Sequence, residues 1–294
     1  MNTRYRIAIT CVLFAGLTLF VRLGHTNTSD ECVWNAVTKQ CTPDAQLYLQ
    51  PVAHLDADQM QLHEAGKNQF NTVWTFAPRL DGVWGLGPFF LANACSGCHL
   101  NNGRGITTEQ LNKPVFQQLV RLSVRKPGSE ETMPHPAYDS QIQVFTFEGG
   151  LVEPSTGEAD VFIRWVPVTV ALADGTSVEL RRPELKITNE KFGPIDDSVL
   201  KSLRNGPALF GLGYLEAVEE KDILAIASAQ KALGFNGRPN YVADDATFTR
   251  KLGRFGWKAN QPSIKQQVAA AHLGDIGVTT SLSVSYTHLR AHET

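Results

Sequence analysis

The chain has 294 residues, of which 43% are hydrophobic and 19% are charged, and its formal net charge is −2. A chain of this length and hydrophobic content can bury the core of one or two domains. The near-neutral charge gives no basic surface of the kind that binds phosphates, so a nucleic-acid partner is not expected.

Residues 1–24 predict an export signal. Arg4 and Arg6 precede an apolar run over residues 7–21, which is typical of a signal peptide. The run is shorter than the roughly 20 residues that a membrane span requires, but Arg22 and the absence of a clear cleavage site leave an uncleaved N-terminal membrane anchor open. The sequence therefore predicts a periplasmic protein with a signal peptide or an anchor.

Residues 25–54 are rich in Thr, Asn, Asp and Gln and predict a linker. Within it, Cys32 and Cys41 flank a short polar loop. Because an exported protein meets an oxidising compartment, we expect a disulfide between them; two unpaired thiols are the alternative. From residue 55 to residue 70, apolar positions recur at helical spacing and predict a helix.

The strongest signal is Cys95-Ser96-Gly97-Cys98-His99, a C-x-x-C-H motif. Two thiols on one helical turn can each add to a haem vinyl group, and the adjacent imidazole can then bind the iron. The motif predicts haem c on Cys95 and Cys98, with His99 as the proximal metal ligand. A thioredoxin-like pair fits less well without a βαβ context, and a structural zinc site fits less well because no Cys follows Cys98.

The pattern changes to β-strand after this motif. Residues 141–147 alternate with period two, and residues 161–172 are rich in β-branched and aromatic side chains. Asp174-Gly175 lies between two such runs and is typical of a hairpin turn. We therefore expect a small antiparallel sheet inserted at about residues 140–185.

Helical patterns resume beyond Asp196. Residues 223–233 carry an apolar face and are followed by Gly234, which suits a C-terminal cap. A further short helix is predicted over residues 263–272. The predicted fold is therefore mainly α, a cytochrome c-like haem lobe over residues 55–282 with the inserted sheet.

Several separated segments occur in a fixed order around the haem motif: NGRG at 102–105, PALFGLGYLEA at 207–217, GRPN at 237–240, GRFGWKANQPSI at 253–264 and GDIGVT at 274–279. Together with Ala94 and the motif they resemble the bacterial di-haem oxidoreductase family, whose members are also called thiol oxidoreductases or peroxidase-like proteins. That family is similar in plan to the di-haem cytochrome c peroxidases and to the di-haem enzyme of methylamine-dehydrogenase maturation.

The resemblance implies two facing c-type haem lobes, in which one haem takes electrons from a donor and the other meets the substrate. This chain has a single C-x-x-C-H, and the family's second motif follows the GDIGVT segment. The resemblance thus implies an N-terminal part whose second haem domain is missing, with residues 283–294 as a non-native tail. A naturally single-haem relative is the alternative.

Two further residues are candidate cofactor-binding positions. Arg104 directly follows the motif and is predicted to pair with a haem propionate, because a guanidinium fork fits a carboxylate; a solvent-exposed loop position is the alternative. Trp257, in a Gly-rich segment, is predicted to lie near the porphyrin and carry an electron between haems, with simple core packing as the alternative. The catalytic residues are not predicted, and the sixth iron position has six candidates: His54, Met60, His63, Met133, His135 and His272.

These observations predict an exported c-type haem redox protein with one haem c in this chain and a second in the full-length protein. The first hypothesis is a peroxidase-like oxidoreductase with electron transfer between the haems. It would take electrons from a small periplasmic cytochrome and act on a small molecule such as peroxide. The alternative is an electron-transfer cytochrome without substrate chemistry of its own. An open iron position favours the first and a six-coordinate haem favours the second.

Overall fold

The computed structural model describes the backbone of residues 4–10, 20–26, 32–35 and 40–43, and both backbone and side chains of residues 48–77, 79–107, 115, 117–147 and 155–284. The chain divides into two compact units, residues 1–64 and residues 65–294. Across these described ranges, no helix combines the length and the apolar character that crossing a membrane requires.

The first unit contains two antiparallel hairpins, β1 (Arg4–Thr10) with β2 (Phe20–Thr26) and β3 (Cys32–Asn35) with β4 (Gln40–Pro43). The register of β3 and β4 sets Cys32 opposite Pro43 and Trp34 opposite Cys41. The side chains of Cys32 and Cys41 lie outside the described residues, and so does much of the apolar run of the export signal. The disulfide and the export signal therefore stay predictions.

Helix α1 (Ala57–Asn71) crosses the boundary between the two units. It begins with a capping box, in which the Gln59 N–H donates to Asp56 Oδ1 (2.8 Å) and the Asp56 N–H donates to Gln59 Oε1 (3.1 Å). These two bonds satisfy backbone donors that the first helical turn leaves unpaired. The helix predicted over residues 55–70 is confirmed.

The second unit alternates short helices with strands. Its first elements are β5 (Trp74–Thr75), β6 (Val83–Trp84), β7 (Phe89–Phe90), α2 (Cys95–Cys98), β8 (Gln118–Arg125), β9 (Thr132–Met133), β10 (Phe145–Thr146) and β11 (Ser155–Thr156). They are followed by β12 (Asp160–Ala171), β13 (Ser177–Thr188), β14 (Leu200–Asn205), α3 (Leu212–Ala217), α4 (Glu220–Ala232), β15 (Tyr241–Asp244), β16 (Thr249–Leu252) and α5 (Ile264–Ala271).

The main core forms where β8 and the first half of β12 meet. Strand β8 lies between β14 and β9 in an antiparallel sheet, and its buried side chains alternate with half-buried ones. Val120 and Leu122 pack with Tyr138, Val161 and Ile163 in the largest buried cluster. This period-two burial fixes which face of β8 meets the core and leaves Arg121 on the opposite face.

Strands β12 and β13 form a hairpin of twelve residue pairs. Its turn contains Asp174, which accepts a hydrogen bond from the Thr176 N–H (3.0 Å), and Gly175, whose φ is 85°. The Asp-Gly hairpin prediction is confirmed. The half of the hairpin nearest the turn is exposed, whereas the other half packs into the core.

The mainly α prediction is wrong. The structure is 25% helix and 29% strand, with five helices and twelve strands from residue 48 onward in the described residues. The reason is that the haem motif favours a helical lobe, whereas β8 pairs with β14 across a separation of about 80 residues that no local signal reveals. Strands therefore extend on both sides of the predicted 140–185 insertion.

The two later helices follow their sequence signals. Helix α4 ends at a turn in which Gly234 has a φ of 85°, which suits the left-handed position after a helix. Helix α5 begins after Ser263, whose hydroxyl accepts the Gln266 N–H (3.2 Å). Both predicted helices are confirmed, and α5 leads directly into the candidate site.

Candidate haem-attachment site

The C-x-x-C-H motif forms a single helical turn. Cys95 and Cys98 begin and end α2, and the His99 N–H closes the turn on the Cys95 carbonyl (3.0 Å). Cys95 contacts the apolar cluster of Leu86, Phe90 and Ile276. Both thiols are therefore presented from one turn that is anchored in apolar packing.

Burial raises the pKa of both thiols. It raises the pKa of Cys98 to about 12 and also raises the pKa of Cys95, and the nearby Asp275 carboxyl adds to both effects. A catalytic dithiol needs the opposite, a lowered pKa in an electropositive setting. The site therefore keeps two protonated thiols at neutral pH, which does not suit thioredoxin-like chemistry.

The His99 ring is oriented by a backbone carbonyl. His99 Nδ1 lies 2.8 Å from the Pro207 carbonyl oxygen. Because a carbonyl only accepts, Nδ1 carries the hydrogen and the Nε2 lone pair is left available for a metal. Gly206 lies against the same ring, and a Cβ there would come within 2.9 Å of His99 Cε1.

The segment that holds His99, residues 205–207, is here called the strap. The Gly105 N–H donates to the Gly206 carbonyl (2.9 Å), and just beyond the strap the Leu209 N–H donates to the Asn102 carbonyl (2.9 Å). A Cβ at Gly105 would lie 2.7 Å from the Gln117 carbonyl oxygen and 3.2 Å from the Gly206 nitrogen. Only glycine allows the loop after the motif to approach the strap this closely.

The structure brings Trp257 to this strap. Its indole Nε1 donates to the Asn205 carbonyl (2.9 Å), yet 52% of the residue remains exposed. Trp257 is therefore linked to the segment that holds His99 and is not a core residue. Arg104 lies on the loop after the motif, with an exposed side chain.

Asp275 is the site residue that the sequence reasoning missed. It is half-buried, and desolvation raises its pKa, although the Gln141 hydrogen bond and the charges of Arg121, His99 and His272 oppose the rise. The Gln141 Nε2 donates to Asp275 Oδ1 (3.0 Å). Its position in the GDIGVT segment was the available signal, but a single Asp between Gly274 and Ile276 gives no sign of burial.

A π-helical turn places Asp275. Helix α5 continues into this turn over His272–Ile276, which ends at Gly277 with a φ of 76°. The Leu91 and Ala92 N–H groups donate to the Asp275 carbonyl (2.8 and 3.1 Å). Turns of this type are rare and often lie at functional sites, and this one joins α5 to the segment just before the haem motif.

Of the candidates for the sixth iron position, His272 shares the surroundings of His99, since both rings influence the pKa of Asp275. Its Nδ1 lies 2.9 Å from the Val268 carbonyl oxygen, which again leaves Nε2 available. His135 instead uses Nδ1 to accept from the N–H groups of Ala137 and Tyr138. The remaining candidates are exposed Met133 in β9 and three residues of the first unit: His54, Met60 and His63.

Within the described ranges, no group of three or more His, Cys, Asp or Glu side chains could hold a metal ion. Comparison with protein families gives a match to the family described as "Di-haem oxidoreductase, putative peroxidase" over residues 38–287. Searches among curated proteins and among solved structures gave no match.

Proposed function

The chain belongs to the di-haem oxidoreductase family, and from this premise we propose that it binds one haem c through Cys95 and Cys98, with His99 as the proximal ligand. The single observation that supports this most is the bond between His99 Nδ1 and the Pro207 carbonyl (2.8 Å). This bond fixes the tautomer in which Nε2 can bind iron. A histidine that binds a metal usually donates its other ring N–H to an acceptor such as a backbone carbonyl.

The thiols are suited to covalent attachment. Each Cys would add across one haem vinyl group, so that the S–H bond and the vinyl π bond break while a C–S and a C–H bond form. This addition needs no oxidant, only a reduced thiol. Because burial raises the pKa of Cys95 and Cys98, both stay protonated and resist premature disulfide formation.

Bound haem supplies one-electron redox chemistry and an iron position for a small ligand. We propose that the full-length protein acts as a peroxidase-like oxidoreductase, in which hydrogen peroxide, two electrons and two protons give two water molecules. Because the reaction consumes two electrons and each haem supplies one, the proposal accounts for a protein with two haems. Trp257, exposed and bonded to the strap, offers a path for electrons between His99 and a facing haem.

The proposal includes export. Covalent haem attachment and the disulfide predicted between Cys32 and Cys41 would both suit an oxidising compartment, and the export signal predicted over residues 1–24 agrees with a periplasmic location or an N-terminal anchor. A small cytochrome in the same compartment is the proposed electron donor or acceptor.

One observation favours the second candidate, an electron-transfer cytochrome. His272 has a free Nε2 and lies near Asp275 and therefore near the same site as His99. If His272 were the sixth iron ligand, the haem would be six-coordinate and would have no position for peroxide.

The test compares the haem spectra of the wild-type chain and two variants, His272→Ala and its control His135→Ala, all matured in a host with a c-type haem system. The enzyme candidate predicts a high-spin ferric haem that binds cyanide and consumes peroxide in the wild type. A low-spin wild type that ignores both ligands, and becomes high-spin only in His272→Ala, would establish the electron-transfer candidate instead.

A further inference from the structure

Two guanidinium groups share one face of the sheet beside the site. In the register of β8 and β14, Arg121 lies opposite Ser202, and Arg204 is two residues further along β14. Side chains two residues apart on a strand point to the same face. Arg121 and Arg204 are thus diagonal neighbours, and burial together with the Arg121 charge lowers the pKa of Arg204.

Neither group forms an ion pair with a carboxylate in the part of the chain that the structure describes. The Arg121 Nη1 donates to Ser140 Oγ (2.9 Å), but Arg121 Nε is buried without a hydrogen-bond partner. Arg204 Nε donates to Ser202 Oγ at 3.4 Å, the one hydrogen bond of its side chain to a described residue. Two partly buried like charges that form no ion pair with a carboxylate among the described residues are costly, so the pair indicates an anionic ligand.

The pair is connected to two segments of the candidate haem site, the strap and the π-helical turn that contains Asp275. Arg204 directly precedes Asn205, the first residue of the strap that holds His99. Arg121 forms a β-bridge with Gln141, and the Gln141 amide binds Asp275. Asp275 lies close enough for the Arg121 charge to lower its pKa against the effect of burial, but among the described residues no ion pair joins it to either guanidinium.

We propose that Arg121 and Arg204 bind the two propionate carboxylates of the haem. A guanidinium fork accepts a carboxylate in two parallel hydrogen bonds, and haem carries two such groups on one edge. The inference rests on the proposed haem function and names residues other than Arg104, which is exposed on the loop after the motif.

The test measures the reduction potential of the attached haem in Arg121→Gln, Arg204→Gln and Arg104→Gln. Ferric haem carries one more positive charge than ferrous haem, so removing a nearby cation favours the ferric form. We expect each of the first two variants to shift the reduction equilibrium by about tenfold, which is about 59 mV for one electron, and we expect no shift in Arg104→Gln. Arg204→Lys, which keeps the charge, should retain most of the wild-type potential.

Arg204 is partly exposed, so its variants should fold even if Arg121→Gln does not. In that case the potential of Arg204→Gln alone tests the inference. An unchanged potential in Arg204→Gln, or a drop confined to Arg104→Gln, overturns the inference while haem attachment stands. A wild-type chain that takes up no haem overturns the proposed function and this inference with it.

Discussion

Asp275 shows how one half-buried carboxyl shapes the site. Its side chain lies near enough to both motif cysteines to raise their pKa, and desolvation raises its own pKa. The unfolded chain releases this proton near pH 3.9, whereas the folded protein holds it to a higher pH. The native state therefore binds more protons in that window, and the Asp275 contribution to the free energy of unfolding falls as pH rises through it.

Asp275→Asn removes this titration but keeps an oxygen that can accept the Gln141 bond. Between about pH 4 and about pH 7, we expect the wild type to lose stability relative to this variant, by about 1.4 kcal/mol for each unit by which folding raises the pKa. Denaturant unfolding at both pH values measures the difference, with Asp197→Asn at an exposed position as the control. A difference independent of pH would show that Asp275 is not titrating in this way.

Gly206 determines how closely the strap approaches His99. Gly206→Ala would place a Cβ 2.9 Å from His99 Cε1, and overpacking of this kind costs about 1–3 kcal/mol. We expect the ring to tilt away from the Pro207 carbonyl, which lowers the free energy of unfolding and alters the haem spectrum. Gly213→Ala in α3 is the control because no atom lies within 4 Å of its Cβ position. Equal effects of the two substitutions would contradict the close approach.

At the scale of elements, one half of the β12–β13 hairpin packs into the core and the half nearest the turn is exposed. Ile163 is 2% exposed in the main core, whereas Val170 on the same strand is 36% exposed. Ile163→Ala should lower the free energy of unfolding by about 2–5 kcal/mol, and Val170→Ala should change it by less than about 0.5 kcal/mol. Chemical denaturation of both variants makes the comparison, and similar losses would mean that the outer half is also packed.

The sequence predicts elements whose signals are local. Asp174-Gly175 predicts the hairpin, Gly234 predicts the end of α4, and the spacing before residue 70 predicts α1. Strand β8 was missed although Val120 and Leu122 alternate with polar residues, because its partner β14 is distant in the chain and the haem motif favoured a helical lobe. Pairing between distant strands depends on the whole fold.

The candidate site likewise has a part that local sequence predicts and a part that depends on contacts between distant segments. His99 and the two cysteines follow from a five-residue motif, whereas the Pro207 carbonyl that orients the ring and the Asp275 carboxyl come from segments more than 100 residues away. Arg121 and Arg204 are ordinary strand residues until the register of the sheet places them together. Such contacts carry no local pattern, so only the folded chain reveals them.

At the scale of the whole molecule, the second unit exposes several large apolar side chains after the strap. Leu233, Phe235 and Tyr214 are each more than half exposed, as is Trp257 beside the strap. Surfaces of this kind commonly mark sites of contact with other groups. The two-lobed plan that the family resemblance implies stays a prediction.

The central claim is covalent haem attachment, and the most direct measurement is the intact mass of the denatured chain after maturation in a host with a c-type haem system. The account predicts a mass increase of one haem and no free thiol at Cys95 or Cys98, because both form thioether bonds. The Cys95→Ala, Cys98→Ala double variant should show no increase. A wild-type chain without the added mass, or a double variant that retains it, would contradict the claim.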